Sequence, residues 1–191
     1  MAGPPLTLRR WKRVEYDRLV ELGVFDNDPI ELIGGQLIVA EPHGTYHAAS
    51  IGAADYAVRA ALPPGFTVRV QLPVSLDDES EPEPDLAVVG GRPTDYRDAH
   101  PAHPHLIVEV AESSLYFDRQ EKGSLYARAG IEDYWIVNVV NRVLEVYRDP
   151  GPDAGAAYGW RYRAVTVLEA PAVVSPLAFP QSRIAVADLL P

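Results

Sequence analysis

The sequence predicts an α/β (α+β) fold: a mixed central β-sheet flanked by helices, with an N-terminal helix and a β-hairpin ahead of it. Two patterns carry that expectation. Short apolar runs rich in Val, Ile and aromatic residues recur between turn signals, and two longer stretches space their apolar residues as a helix does. The order along the chain is hairpin, helix, three strands, helix, three strands. A length of 191 residues suits one domain with a full hydrophobic core. The expected organisation is a single domain over 1–191, with a helical extension over 1–28 and the core over 29–191.

Taken in order, Arg9 to Leu22 reads as a short amphipathic helix ended by Gly23. In "IELIGGQLIVA", Gly34-Gly35 between two apolar runs is a two-residue hairpin signal. Thr45 is placed to cap a helix to about Leu62, ended by Pro63-Pro64. Its His47, Ile51, Ala54, Val58 and Ala61 share one face, and Asp55 and Arg59 make an i,i+4 pair elsewhere on it. "FTVRVQLPVSL" reads as a strand whose proline fits an edge or a bulge. The acidic "DDESEPEP" is a loop into the strand "DLAVV", and "GGRPTDYRDAHPAHP" a longer loop before "HLIVEVA". A second helix runs from about Asp118 to Ala129, stopped by Gly130. Asp118 reads as its N-cap, with Glu121 completing a capping-box-like pattern. "DYWIVNV", "VLEVYRD" and "WRYRAVTVL" are three more strands, and "PGPDAGAAYG" is a flexible hairpin tip or an ordered insertion.

Composition excludes several classes. No apolar run approaches the ~20 residues that span a bilayer. The N-terminus "MAGPPLTLRRWKRVEYDRL" lacks the basic-then-apolar order of a signal peptide. With no cysteine there is no disulfide framework and no thiolate metal site, so a soluble cytoplasmic protein is expected. Seventeen basic against twenty-seven acidic residues give a net charge of −10. That argues against a non-specific nucleic-acid coat, yet one basic groove can coexist with an acidic remainder.

"HLIVEVA" raises the chemical question, because an unpaired carboxylate is costly to bury. Alternation puts Leu106, Val108 and Val110 on one face, and Ile107, Glu109 and Ala111 on the other. Pro84 starts the preceding strand, setting Asp85 on the face of Ala87 and Val89. If the two strands are neighbours, Asp85 and Glu109 converge, and paired carboxylates with water are how proteins usually hold Mg²⁺. Lys122 lies at the edge of the second helix's apolar side (Leu125, Tyr126, Ala129) and can direct its ammonium toward them. Each alone has a plainer role: an exposed strand Glu, a turn-making Pro-Asp, a snorkelling lysine. The ordered set is what points to a site.

"ELIGGQLIV", "EPDLAVV", "LIVEVAESSLYFDRQEKGSLYARAGIEDYWIVN" and "VLEVYRDP" resemble the Uma-type restriction endonucleases, a branch of the PD-(D/E)XK nuclease-like superfamily. The resemblance runs from about Glu31 to the C-terminus and is most specific from Glu109 to Trp135. It implies a restriction-endonuclease-like sheet and a metal-dependent phosphodiesterase core. Asp85 matches the Asp of the PD element and Glu109 the acid of the (D/E)XK element. Ala111 stands where that motif has its lysine; in the Uma-type branch a helix lysine replaces it, here Lys122. Glu31 matches the hairpin Glu and His47 the helix-start His, both accessory. Asn138 stands where many relatives have Asp.

The remaining histidines carry less. His47 begins an apolar stripe, the usual place of a core histidine. His43 and His47 have i,i+4 spacing, but "HGTYH" lacks the Glu of HExxH. His100, His103 and His105 sit among prolines in an extended loop, with no further zinc ligands at consistent spacing.

The expected activity is Mg²⁺- or Mn²⁺-dependent hydrolysis of phosphodiesters, with DNA as the nucleic-acid substrate. Asp85, Glu109 and the Val110 carbonyl would ligate metal. Lys122 would activate water and stabilise phosphate charge, Glu31 would bind a second metal or polarise water, and His47 would contact substrate. Arg119, Arg128, Arg92 and Arg97 are the candidate phosphate contacts. Cutting both strands from one site per chain calls for a homodimer. The rivals are a nuclease-fold module that binds nucleic acid or protein without cutting, and a small-molecule metal hydrolase. A groove lined by basic residues favours DNA; a closed pocket favours the small substrate.

Overall fold

Gly34 and Gly35 both take left-handed φ values, 54° and 79°, as a two-residue hairpin turn requires and as side chains resist. They join β1 (Ile30–Ile33) to β2 (Gln36–Val39) as an antiparallel pair. The computed structural model describes residues 7–26, 28–40 and 44–191, so His43 lies outside the described residues. Ahead of the hairpin, α1 spans Arg13–Glu21, shorter than the expected Arg9 to Leu22. Its start is fixed by the Lys12 N–H, which donates to Glu15 Oε2 (3.0 Å). Before it, the Trp11 N–H is held by the Gly35 carbonyl (2.9 Å). The Tyr16 hydroxyl donates to the Ile30 carbonyl (2.6 Å), docking α1 on the hairpin.

The main sheet has six strands in the order β3-β4-β5-β6-β7-β8: Phe66–Val70, Leu86–Gly90, Leu106–Ala111, Asp133–Asn138, Val143–Pro152 and Trp160–Leu168. Every neighbouring pair is antiparallel except β5–β6. Parallel neighbours need a long crossover, and the second helical segment supplies it. β3 is shorter than "FTVRVQLPVSL" predicts: Gln71 takes a φ of 48° and ends it, and Pro73 offers no donor to extend it.

Helices cover both faces. On one, α2 (Thr45–Ala61) packs Ile51, Ala54, Ala57 and Val58 against Leu86, Val88, Leu106, Val108 and Trp135. The C-terminal segment completes this layer with Phe179, Val186 and Leu189, next to the short pair β9 (Val173–Val174) and β10 (Ile184–Ala185). Gly44 is the N-cap of α2, so Thr45 is its first helical residue rather than the cap. The other face carries Ile107, Ala111, Tyr134 and Ile136 under Tyr126, Ala127 and Ile131. The alternation read from "HLIVEVA" therefore holds.

Two loops are more ordered than their composition implies. In the acidic stretch, Ser80 and Glu81 are buried, and Glu81 bridges Leu32 of the hairpin. The Ser80 hydroxyl accepts the Gly34 N–H (3.2 Å) and Glu81 accepts from the Ser75 hydroxyl (2.7 Å). The β7–β8 tip is an ordered insertion: the Tyr158 N–H donates to Ser124 Oγ (2.9 Å), and Arg128 lies 5.0 Å over the Tyr158 ring. No helix among the described residues is long and apolar enough to cross a membrane.

Candidate active site

The β4–β5 register pairs Leu86 with Val108 and Ala87 with Ile107. One step further sets Asp85 opposite Glu109, at the point where both strands open into a cleft. The Val110 N–H donates to Asp85 Oδ2 (2.8 Å) and the Asp85 N–H to Glu109 Oε2 (3.4 Å). Both side chains are nearly buried, at 7% and 3% exposed. The carboxylates thus share a site through local pairing alone.

Lys122 arrives from the crossover. Its Nζ donates to Glu109 Oε1 (3.0 Å) and lies 3.6 Å from Glu31 Oε2. Glu31 reaches the cleft from β1, and its Oε2 accepts the Glu83 N–H (3.1 Å), so the packed acidic loop fastens the hairpin there. His47, in the first turns of α2, places Nε2 3.9 Å from Asp85 Oδ2. Asp85, Glu109, Val110, Lys122, Glu31 and His47 all line one cleft of about 630 Å³.

The crossover helix is not the regular one the spacing predicts. It runs from α3 (Leu115–Phe117) through a π-helical turn, Asp118–Lys122, into α4 (Gly123–Arg128). Such wide turns are frequent at functional sites. Gly123 allows this one: a Cβ there would meet the Asp118 carbonyl at 3.2 Å and Tyr134 Cε1 at 3.6 Å. The Tyr134 hydroxyl donates to that carbonyl (3.0 Å). Asp118 is therefore no N-cap. It lies within the helical run, 2% exposed, accepting the Ser114 hydroxyl (2.5 Å), and it lines the same cleft.

Sequence reasoning missed Asp118 as a site residue, although its i,i+4 spacing to Lys122 was legible. It also assigned Tyr126 to the core alone, whereas its hydroxyl donates to Glu109 Oε1 (2.7 Å). Glu83 joins the cleft as well.

Electrostatics follow from five acids near one lysine. Burial pushes Glu109 up to about 7 despite the opposing pull of Lys122 and the Tyr126 hydrogen bond. Asp118 rises to about 7, again chiefly through burial, with Glu109 adding to it. Glu83 is raised by burial and by Glu31 and Glu81. Burial alone would lower Lys122, but Glu109, Glu31, Asp118 and Asp85 together hold it above its ordinary value and keep it charged. Among the described residues, no three His, Asp or Glu side chains converge closely enough to enclose a metal by themselves.

The four arginines stand elsewhere. Arg119 forks onto Glu145 (2.9 and 2.6 Å), and Arg128 onto Asp77 (2.5 Å). Arg92 pairs with Asp95 (3.3 Å) and Arg97 with Asp98 (3.0 Å). None of the four lines the cleft. The loop histidines disperse: His100 Nδ1 is 3.3 Å from Arg69, while His105 stands edge-on to Phe66, 5.1 Å between ring centres. Asn138 is structural, donating to Glu145 Oε1 (2.8 Å).

The fold has a solved counterpart. A structure described as a putative nuclease belonging to DUF820, from Anabaena variabilis ATCC 29413, superposes with a TM-score of 0.64 at 16% identity. It covers 84% of this chain, which in turn covers 88% of it. At that identity the likeness establishes the shared fold. No curated protein sequence matches the chain. The Uma2 family, described as Putative restriction endonuclease, matches residues 14–187, a span holding the hairpin, both helical layers and every cleft residue named above. On that match the chain belongs to the Uma2 family and is nuclease-like.

Proposed function

We propose that the protein hydrolyses phosphodiester bonds of DNA with Mg²⁺ or Mn²⁺ held by Asp85 and Glu109. The observation that carries this reading is the register match that faces these two carboxylates across β4 and β5, with Lys122 3.0 Å from one of them. The donors suit a hard divalent cation: they are oxygens, and the chain has no cysteine. Two carboxylates with open space beside them are how proteins hold Mg²⁺, which keeps much of its water. Burial, with Asp85 and Glu31 adding to it, drives Glu109 toward neutrality, and a cation bound there would offset that pull.

A divalent ion bound there would supply Lewis-acid polarisation of the phosphate. The chain's own residues do the rest. The Val110 N–H holds Asp85 in orientation, and Tyr126 and Lys122 hold Glu109. The Lys122 ammonium, kept charged, faces the negative charge that builds on the phosphoryl oxygens. Glu31, 3.6 Å from the Lys122 ammonium, gives it a second carboxylate partner.

The test incubates the protein with plasmid, single-stranded DNA and RNA, with Mg²⁺, Mn²⁺ or EDTA. Cleavage should need the ion, vanish in Glu109→Ala and fall by about 10²–10³-fold in Lys122→Ala. Cleavage that survives EDTA or both substitutions would overturn the reading. One observation favours a second reading, a small phosphodiester as substrate. Among the described residues lining the cleft, Lys122 and His47 are the only basic side chains, against Glu31, Glu83, Asp85, Glu109, Glu112 and Asp118. A duplex draws its affinity from several cations on its phosphates. Turnover of bis(4-nitrophenyl) phosphate without plasmid cleavage would decide for the small substrate.

A further inference from the structure

We infer that β8 is a self-association edge, where a second copy of this chain adds its own β8 antiparallel and continues the sheet across a twofold axis. β8 is the last strand of the sheet, so its outer side has no strand neighbour among the described residues. Ala164, Val165, Thr166 and Val167 are all exposed, with Val165 at 50% and Val167 at 58%. Natural edges are blunted by charges, prolines or bulges, and this run has none of them. The opposite edge, β3, is protected: Val68 and Arg69 are buried there, and α2 packs against Val68.

The occupant is chosen by register. In an antiparallel pair centred on Thr166, Thr166 faces its own copy and Val165 faces Val167 twice. Arg163 then faces Glu169 twice, at the two ends of the contact. Thr–Thr and opposite-charge pairs stabilise sheets across strands, and β-branched valines suit a pleated surface. A shift of one residue loses this match, setting Arg163 against Val167 in one direction and Val165 against Glu169 in the other. Arg163 already holds Asp149 of its own chain (2.8 Å), but a guanidinium has five donors and can serve both carboxylates. The edge is thus complementary to itself in charge in one register.

The absence of cysteine makes the test clean, because Thr166→Cys adds the chain's sole thiol. Opposed Cα atoms of an antiparallel pair lie about 4.5–5.5 Å apart, within the ~4.4–6.8 Å that a disulfide spans. Mild oxidation should convert Thr166→Cys to a covalent dimer, while Val165→Cys, whose mate is Val167, should stay largely single. Sedimentation should give the unmodified protein twice its 20.9 kDa chain mass. Val167→Lys and Thr166→Pro should each give one chain mass with unchanged circular dichroism; if the proline variant misfolds, Val167→Lys carries the test. A single-chain mass for the unmodified protein, a dimer that survives Val167→Lys, or equal cross-linking at 165 and 166 would each overturn the inference. None of these readouts depends on nuclease activity.

Discussion

Asp85 and Glu109 are tied to each other's strand: Asp85 Oδ2 accepts the Val110 N–H at 2.8 Å, and Glu109 Oε2 takes the Asp85 N–H at 3.4 Å. Two acids that would repel in isolation are thereby held at a fixed spacing by backbone that also belongs to the sheet. The first expectation follows. Mg²⁺ or Mn²⁺ should raise the melting temperature of the protein, by about 2.7 kcal/mol of stability at a hundredfold excess over Kd. Asp85→Asn and Glu109→Gln should each lose most of that response. Calorimetric titration checks it; an unchanged response in both variants would remove the pair from the site.

Lys122 tests the chemistry separately from the binding. Lys122→Ala should lower turnover by about 10²–10³-fold, the range seen when one group stabilising transition-state charge is removed. The KM should change far less. A rise in KM at constant kcat would instead make Lys122 a substrate-binding residue.

The π-helical turn can be probed without touching any acid or lysine. Gly123→Ala puts a Cβ 3.2 Å from the Asp118 carbonyl and 3.6 Å from Tyr134. Overpacking of this kind typically costs about 1–3 kcal/mol. The urea midpoint should fall, and turnover should fall further than Tyr134→Phe makes it, because the turn that aims Lys122 must rearrange. Full activity in Gly123→Ala would mean the wide turn is dispensable.

Acid stability should report on Glu145. Burial pushes this carboxyl up, but hydrogen bonds from Arg119, Asn138 and Tyr147 outweigh it and hold it below its ordinary value. Its stabilisation is therefore fully present above the ordinary carboxylate range, near pH ~4.3. It is lost as pH falls through the lower folded value. As pH falls below the ordinary carboxylate range, Glu145→Gln should lose less urea resistance than the unmodified protein does. An identical decline would assign the acid sensitivity elsewhere.

Much of this could be read from the chain, and the reasons are specific. Period-two alternation in "HLIVEVA" gives the face of Glu109, and the short strand after Pro84 gives Asp85 the same face. Strand neighbours and one register then suffice to bring them together. Asp118 was hidden because the helix starts earlier, at Leu115, and because a five-residue turn has no signature in a 3.6-residue period. The acidic stretch reads only as a loop, yet the hairpin satisfies its backbone at Glu81 and Glu83. The arginines divide on the same ground. Arg97 and Arg92 meet acids one and three residues away, a legible pairing. Arg119 and Arg128 meet Glu145 and Asp77 across the fold, where no local pattern reaches.

The parallel pairing of β5 with β6 has a consequence for how the protein assembles. Those two strands can meet only after the chain between Ala111 and Asp133 has crossed over the sheet. That connection is the helix carrying Asp118, Lys122 and Tyr126. The centre of the sheet and the lysine's approach to Glu109 are then closed by one non-local, entropically slow event. The approach of Lys122 to Glu109 is therefore expected to appear only once β5 and β6 have paired.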